Sequence, residues 1–382
     1  MVMQLMAIPG RSGEEGQVAD FICQRLLDAG VDPSDLVTDT AHHRTPIRGQ
    51  TGNLILKLAG TQRGPRRMLS AHMDTVPICV GSQPERKGGL VRSKNPATGL
   101  GADDRAGVAV LLYAATEILR RGCDHSPLTF CWFIQEEIGL HGARCVQKGL
   151  LGRPKMAFNW DGGAPHKLTI GATGGYRMAI EVRGIASHAG GAPEWGVSAI
   201  TVASLAIAQL HRGGWLGDVR KGRQRGTSNI GVIQGGDATN VVTDRVVLKA
   251  EARSHDPAFR QRIIEAIHGA FEQTATRVKN VAGSQGSVQI DGHLDYEAFR
   301  LAKDHPCVQT AAAAVRSAGF EPETAIANGG LDANWLIQHG IPTVSLGCGQ
   351  LNQHMTSEAL DVVAFQNACR IAMKIATGDP SA

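Results

Sequence analysis

Short apolar runs in this chain end in residues that can bind a divalent metal. These residues are histidines and carboxylates, and they are His72, Asp103, Glu137, Asp161 and His354. Imidazole nitrogens and carboxylate oxygens are common zinc ligands in proteins. Because a short apolar run is typical of a buried strand, each candidate ligand is predicted to lie where a strand or its connection ends. The pattern indicates a hydrolase with a pair of metal ions.

The N-terminal part of the chain alternates between helix and strand patterns. Apolar residues recur at helical spacing over residues 17–30 and again over residues 105–121, which predicts two helices. The continuous apolar run over residues 128–135 predicts a strand that is buried on both faces. Strands separated by helices favour an α/β fold with a doubly wound, mostly parallel sheet.

Between Gly171 and Asp295 the order of the patterns changes. One strand and one helix are followed by two strands, a second helix and a last strand. This β-α-β-β-α-β order is typical of a ferredoxin-like α+β domain. The C-terminal segment returns to helix, strand and helix, and is expected to complete the first sheet. The sequence therefore predicts a catalytic domain of residues 1–171 and 296–382, with an inserted domain of residues 172–295.

The charge and aromatic content argue against a nucleic-acid partner. The net charge is only +4 and aromatic residues make up 4% of the chain, which leaves little for phosphate binding or base stacking. One basic cluster, Arg220, Lys221, Arg223 and Arg225, is interpreted as a solvated loop, with a nucleic-acid patch as the remote alternative. No apolar run approaches the roughly 18 residues of a membrane-spanning helix, so no membrane partner is expected.

The cysteines favour a reducing compartment. All eight lack a CxxC partner, and several lie inside apolar runs, as reduced core thiols do. The N-terminus shows no basic segment followed by an apolar stretch, so no secretion signal is expected. A cytoplasmic protein is the simplest interpretation.

The fold brings the candidate ligands together, since sites in open α/β sheets form beyond the carboxyl ends of the strands. A metal pair needs a shared carboxylate and about two further protein ligands for each ion, and five ligands satisfy that count. A carboxylate that binds no metal must then accept the proton of the attacking water. The adjacent Glu136 and Glu137 offer one carboxylate for each purpose.

Each fragment also has an ordinary structural explanation. Glu136 and Glu137 could be an acidic pair at a helix N-terminus, and Asp103 could cap the helix near Arg105. Asp161 precedes two glycines and could belong to a turn. The metal interpretation is favoured because all these fragments fall at the same end of one predicted sheet.

Several motifs together carry a resemblance to a known family. They are HMDTVP, GADDRAG, EEIG, NWDGG, the late His354 and, within the inserted segment, SHAGGAPEWG. The chain resembles, over nearly its whole length, the co-catalytic zinc metallopeptidase family of peptidase T, carboxypeptidase G, succinyl-diaminopimelate desuccinylase and aminoacylase. One departure is Arg105, which stands where the family usually has lysine and differs from it in hydrogen-bond geometry.

The resemblance implies two Zn²⁺ per chain, with Co²⁺ or Mn²⁺ as alternative metals. By this resemblance Asp103 bridges the two ions. His72 and Asp161 would complete the set of one ion, and Glu137 and His354 that of the other.

The resemblance also assigns residues that do not bind metal. Glu136 would be the general base, and Asp74 would hydrogen-bond the second ring nitrogen of His72. His188 would hydrogen-bond the oxyanion, often from the partner subunit of a dimer, although it could instead be a loop histidine that caps a helix. Asn240 and Arg253 resemble positions that contact substrate, although Arg253 could instead be an ordinary ion-paired surface group.

The expected activity is hydrolysis of an amide bond in a small peptide or N-acyl amino acid. A peptidase T-like aminopeptidase is favoured by the HMDT and GADD motifs and by the aspartate at position 161. An N-acyl amino acid deacylase or a carboxypeptidase remains open, as do a catalytically inactive binding protein and a protein with a single or structural zinc. A homodimer through the inserted domain is expected. Residues 329–332 echo a family GG-x-D segment near the pocket, or form a simple turn.

Overall fold

The protein was analysed as a computed structural model that describes residues 1–378. It divides into two compact units. Unit 1 consists of Met1–Ala172 and the described residues from Arg300 onward, and unit 2 consists of Thr173–Phe299. Unit 2 therefore interrupts the sequence of unit 1.

The helices of the described residues are α1 (Val2–Ala7), α2 (Gly16–Asp28), α3 (Ala102–Arg121), α4 (His141–Cys145), α5 (Ala199–Arg212), α6 (Pro257–Arg277), α7 (Pro306–Ser317), α8 (Asp332–Gln338) and α9 (Val362–Thr377). The strands are β1 (Leu36–Thr38), β2 (Leu54–Leu58), β3 (Arg67–His72), β4 (Pro84–Lys87), β5 (Leu90–Ser93), β6 (Leu128–Phe133), β7 (Met156–Trp160), β8 (Lys167–Ala172), β9 (Gly174–Arg183), β10 (Gly217–Lys221), β11 (Gln224–Gly235), β12 (Arg245–Ser254), β13 (Ser287–Tyr296), β14 (Phe299–Arg300), β15 (Glu323–Ala327), β16 (Thr343–Leu346), β17 (Gln350–Leu351) and β18 (Ala359–Asp361).

The central sheet of unit 1 has the strand order β1-β2-β6-β3-β7-β16-β8, with β15 also paired to β8. The pairs β3–β6, β3–β7, β7–β16 and β8–β15 are parallel, whereas β1–β2, β2–β6 and β8–β16 are antiparallel. Every residue of β6 is buried, as expected for a strand covered on both faces. The prediction of a mostly parallel α/β sheet is confirmed.

Helices cover the two faces of this sheet. α3 packs against β3 and α9 within the large core of unit 1. On the other face, α8 packs with β16 and shares a smaller core with Met68 and Phe133. Asp103 and Asp104, the second and third residues of α3, have non-helical backbone angles. The regular helix therefore begins beyond them, which leaves their carboxylates at the entrance of the helix.

Unit 2 is an antiparallel sheet in the order β10-β11-β12-β9-β13. Alternate residues of β9, Met178, Ile180 and Val182, are buried with α5 and α6, so that the helices cover one face of the sheet. Both helices have capped N-termini, since Ser198 accepts from the amide of Thr201 and Asp256 from that of Ala258. Without β10, the order is the predicted β-α-β-β-α-β arrangement.

The edge strand β10 corrects one prediction. The basic cluster at residues 220–225 is part of a β-hairpin and not a solvated loop, because β10 pairs with the start of β11 across a turn at Gly222. Arg220 and Arg225 both bind the carboxylate of Asp218, at 2.8 and 3.0 Å. The sequence pattern missed this strand because Val219 is its one fully buried side chain.

The sequence patterns also missed several small elements of unit 1. A separate sheet in the order β17-β18-β5-β4 joins residues 84–93 to residues 350–361 and carries no long apolar run. The last residue of the segment 329–332, Asp332, is the first residue of α8. Among the described helices, none has both the length and the apolar character needed to cross a membrane.

Candidate active site

The carboxyl ends of neighbouring strands bring the predicted site residues of unit 1 together. His72 is the last residue of β3 and lies beside Phe133, the last residue of β6. Glu136 and Glu137 follow β6, and Asp161 follows β7 on the other side of β3. Since β3, β6 and β7 are parallel, all these side chains emerge at one edge of the sheet.

Asp103 lies between two histidines. Its Oδ1 atom is 3.2 Å from Nε2 of His72, and its Oδ2 atom is 3.3 Å from Nε2 of His354. Nε2 of His354 is also 3.0 Å from Oε2 of Glu137. One carboxylate thus presents a different oxygen to each of two imidazoles, which is the arrangement that two adjacent cations sharing a carboxylate require.

Asp161 and Glu136 lie on the His72 side of this group. Potential ligand atoms of His72, Glu136 and Asp161 lie within 4.8 Å of one another, and those of Asp103, Asp104 and Asp161 do so as well. Burial, together with the negative charge of Asp103, raises the pKa of Asp161 to about 7. Carboxylates this close and this buried repel one another unless cations lie among them, so the donor set fits divalent metal ions.

The charge of the cluster also acts on His354. Hydrogen bonds from its ring to Asp103 and Glu137 raise the pKa of His354 to about 10. A protonated imidazole cannot bind a metal, because the nitrogen lone pair is occupied. In the metal-free protein, a proton on this ring therefore partly neutralises the carboxylates.

Asp74 holds several parts of the site in place. It is fully buried, and its Oδ1 atom lies 3.3 Å from Nδ1 of His72, whose Nε2 atom faces Asp103. The amides of Glu136 and Glu137 donate to the two oxygens of Asp74 at 2.9 and 3.2 Å. The hydroxyl of Ser12 donates to Oδ2 at 2.6 Å. Asp74 therefore fixes the ring of His72 and the backbone of the two glutamates at once.

Asp104 and Arg105 lie behind the site. Asp104 is fully buried and accepts from the amide of His72 at 3.1 Å and from Nε2 of Gln350 at 2.8 Å. Arg105 is also buried and donates to the carbonyl of Gly10 at 3.1 Å. Burial lowers the pKa of Arg105 to about 10, although the negative charges of Asp74 and Glu15 oppose this shift. The arginine that replaces the family's lysine thus anchors the N-terminal segment behind the ligands.

The other predicted residues lie in unit 2. Nδ1 of His188 accepts from the amides of Gly190 and Gly191, at 3.1 and 2.9 Å. A neutral His188 ring therefore carries its proton on Nε2, where it can be donated. The carbonyl of Asn240 accepts from the amide of Ala189 at 2.9 Å, so Asn240 lies beside the His188 loop.

Arg253 is not free in unit 2. Its Nε and terminal nitrogen bind the two carboxylate oxygens of Glu251, both at 2.9 Å. This geometry matches the alternative interpretation of Arg253, that of an ordinary ion-paired group. A substrate carboxylate could bind Arg253 only in competition with Glu251 or beside it.

Glu358 is a site residue that the sequence analysis missed. Its carboxylate is buried and accepts from the backbone amides of Leu100, Gly101 and Asp103, at 2.8, 2.7 and 3.0 Å. It lies four residues after His354, so it ties the His354 loop to the loop that carries Asp103. Its partners are backbone amides, which no sequence pattern marks; its position shortly after His354 is the available signal.

We expect Glu358→Gln to weaken metal binding. The glutamine keeps the shape but turns an NH₂ group toward one of three amide donors, so the Asp103 loop should shift. We expect a loss in metal affinity of about 10- to 100-fold, as for other residues that hold metal ligands in position. Isothermal titration of metal-free protein measures the change, and Glu321→Gln, on an exposed residue of the same unit, is the matched control. Equal affinities in the two variants would contradict this role.

The raised pKa of His354 predicts that metal binding depends on pH. Because the pKa is about 10 in the metal-free protein, His354 is protonated at pH 7 and must lose that proton to bind a metal. Metal affinity should therefore increase with pH below 10, by about tenfold per pH unit for each proton released. Calorimetry in two buffers of different ionisation enthalpy counts the protons. If His354→Ala and the parent protein release the same number of protons on binding the metal, this assignment is refuted.

Comparison with known proteins identifies the family to which these residues belong. The profile of peptidase family M20/M25/M40 matches residues 68–377. The uncharacterized protein YqjE of Bacillus subtilis is 30% identical over 376 residues, which are 98% of this chain and 95% of YqjE. Carboxypeptidase G2 of a Pseudomonas species is 27% identical over 342 residues, which are 85% of this chain and 77% of that enzyme.

Two solved structures are similar to this chain in fold and in sequence over nearly its whole length. A tripeptidase of Staphylococcus aureus is 28% identical with a TM-score of 0.88, over 100% of this chain and 97% of that structure. Aminopeptidase PepT of Bacillus cereus is 31% identical with a TM-score of 0.83, over 98% of this chain and 96% of that structure. The chain belongs to peptidase family M20/M25/M40 and is a metal-dependent peptidase.

Proposed function

We propose that this protein is an aminopeptidase that removes the N-terminal residue of small peptides with the help of two zinc ions. The observation that carries the proposal is the carboxylate of Asp103, which faces His72 with one oxygen and His354 with the other. The similarity to the Staphylococcus aureus tripeptidase and to Bacillus cereus PepT supports the aminopeptidase activity.

We assign five residues as ligands in this proposal. Asp103 would be shared, His72 and Asp161 would hold one ion, and Glu137 and His354 would hold the other. Zinc suits this set of imidazoles and carboxylates, and cobalt or manganese would also fit the same donors. When bound, such ions supply Lewis acidity, which polarises a substrate carbonyl and makes a nearby water more acidic.

Glu136 is our candidate for the general base. Its side chain is buried, and burial is the largest effect that raises its pKa well above the ordinary value. The negative charges of Asp332 and Asp161 raise it further, whereas His72 opposes them. A glutamate with a raised pKa accepts a proton from water more readily and can later give it to the leaving amine. Asp74, which binds the amide of Glu136, is the residue that positions this base.

His188 is our candidate for stabilising the oxyanion. The amides of Gly190 and Gly191 occupy its Nδ1 atom, which leaves an Nε2–H group available as donor. Such a donor contributes most where charge develops on the carbonyl oxygen during attack. We retain Asn240, beside the same loop, as a substrate contact, together with Arg253 if substrate displaces Glu251.

A carboxypeptidase is the second candidate, because carboxypeptidase G2 is similar over much of its length. The two activities differ in which end of the peptide is recognised. A catalytically inactive binding protein is disfavoured, because Glu136 is present and its loss would be the simplest route to inactivity. Products from tripeptides with a blocked N-terminus or a blocked C-terminus would separate the candidates.

We expect Glu136→Gln to abolish most turnover and to leave metal binding intact. Glutamine cannot accept the proton, and loss of a general base costs about 10²- to 10⁴-fold in rate. The neighbouring Glu137→Gln is the matched comparison, because it should lower the affinity for metal. Product release from tripeptides, dipeptides and N-acetyl amino acids, with metal content measured in parallel, gives both results. Hydrolysis by Glu136→Gln at the parent rate would overturn the mechanism.

We also propose a cytoplasmic homodimer that forms through unit 2. All eight cysteines are free, and five of them are buried. In the sheet of unit 2, β13 is an edge strand that pairs on one side with β9. On the helical face of the same sheet, Ile200 and Leu205 of α5 are 43% and 45% exposed. An edge strand and apolar helix residues provide a surface that could pair across a two-fold axis.

If His188 acts across the dimer, two inactive variants should restore each other. In a mixed dimer of His188→Ala and Glu136→Gln, one site receives both intact residues. Random exchange of subunits should then recover about a quarter of the parent activity, by the symmetry of a two-fold dimer. Activity after the variants are mixed and exchanged measures this, and sedimentation reports the dimer. Fully active monomers, or no recovery in mixed dimers, would rule out the trans arrangement.

A further inference from the structure

A cavity of about 560 Å³ adjoins the candidate metal ligands in unit 1. Four short segments line it: residues 11–14, 47–50, 76–77 and 137–138. Glu137 belongs to both the cavity wall and the ligand cluster, so the cavity opens beside the reacting centre. Its volume lies within the range of small-molecule sites.

Aliphatic side chains form part of the wall of this cavity. Ile47 and Ile138 are 52% and 38% exposed, and Val76 and Pro77, which follow the HMD motif in the sequence, also line the cavity. Aliphatic side chains left exposed around a concave site gain free energy when an apolar group covers them. The cavity is therefore suited to the apolar stem of a side chain.

The charges around the cavity leave one cation without a partner. Arg11 binds Glu14 at 2.7 Å, and Glu137 is engaged with His354. Arg48 is exposed and makes no ion pair within residues 1–378. Its guanidinium carries a fixed positive charge and a planar set of donors that suits a carboxylate.

The backbone beside Arg48 is held firmly, although the side chain is exposed. The amide of Gln50 donates to the carbonyl of Gly13 at 3.0 Å, and the side chain of Gln50 accepts from the amide of Gly16 at 3.2 Å. A Cβ atom on Gly49 would lie 2.9 Å from Cα of Gly13, so the two segments are in close contact. The loop therefore presents Arg48 at a defined place on the cavity rim.

We propose that this cavity binds the side chain of the substrate's N-terminal residue, and that Arg48 selects a carboxylate at the end of that side chain. The inference rests on the proposed aminopeptidase function, in which the N-terminal residue carries the attacked carbonyl and lies nearest the ligand cluster. The aliphatic walls contact the methylene groups of the side chain, and Arg48 pairs with its acid. The favoured substrates are small peptides with an N-terminal glutamate.

The test compares three tripeptides, Glu-Ala-Ala, Gln-Ala-Ala and Lys-Ala-Ala. The parent enzyme should cleave the glutamyl peptide with a kcat/KM about tenfold above that of the lysyl peptide, as expected for one partly shielded charged hydrogen bond. Arg48→Glu should reverse this order. Arg63→Glu, on an exposed arginine of unit 1 outside the cavity, should keep the parent order. An unchanged order in Arg48→Glu, with parent-like thermal melting, would overturn the inference.

A carboxylate could also come from the C-terminus of the peptide, so each peptide is tested again as its C-terminal amide. The inference expects the glutamyl preference to persist in the amides. If Arg48→Glu lowers kcat/KM equally for all free-acid peptides and for none of the amides, Arg48 recognises the C-terminal carboxylate. The side-chain assignment is then wrong.

Binding to Glu136→Gln enzyme separates this inference from the proposed function. Calorimetry with the same peptides reports the preference without turnover. A glutamyl preference that depends on Arg48 supports the cavity even if the parent hydrolyses none of them. Hydrolysis of all three peptides at equal rates, with equal affinities, would refute the cavity and leave the aminopeptidase proposal standing.

Discussion

The site of unit 1 depends on holding several carboxylates close together in a buried place. Asp103 is within 3.3 Å of two imidazoles, and Asp104 and Asp161 also approach it. Mutual repulsion would move these carboxylates apart if their side chains were attached to a flexible backbone. The protein opposes the repulsion with rigid backbone: the groups lie at the ends of parallel strands and at the entrance of α3. Hydrogen bonds to Asp103 and Glu137 raise the pKa of His354 to about 10. Burial, together with the negative charge of Asp103, raises the pKa of Asp161 to about 7.

A set of hydrogen bonds behind the candidate ligands maintains this geometry. Asp74 binds the backbone of both glutamates, Asp104 binds the amide of His72, and Glu358 binds three amides around Asp103. Each is a buried carboxylate that accepts hydrogen bonds from backbone amides. The loops that carry ligands are therefore fixed through their backbone, and the side chains that point into the site remain available for cations.

The sequence predicted the parts of the structure that follow from strong periodicity. The buried run of β6 and the helical spacing of α3 were evident, and the rule that sites lie at strand ends located His72 and Asp161. The sequence could not show which acids are bound by backbone amides, so Glu358 was missed. It could not show β10 either, because an edge strand with one buried side chain has no apolar alternation. Arg253 and Glu251 both lie on β12, two residues apart. Their ion pair depends on side-chain conformations that the sequence does not specify.

Polar side chains on neighbouring strands form a further hydrogen-bonded layer behind the candidate ligands. Ser70, Asn159 and Ser345 lie side by side on β3, β7 and β16, and the hydroxyl of Ser70 donates to Asn159 at 2.9 Å. Ser70 precedes His72 by two residues, so it lies on the same face of its strand. Asp332, at the start of α8, is fully buried, and burial together with nearby Asp161 raises its pKa to about 8. At neutral pH this acid is therefore mostly protonated, so it adds little charge to a cluster already rich in carboxylates. Burial thus favours the neutral form of Asp332, as it does for Glu136 and Asp161. The hydrogen bonds of Asp74, by contrast, outweigh its burial and lower its pKa.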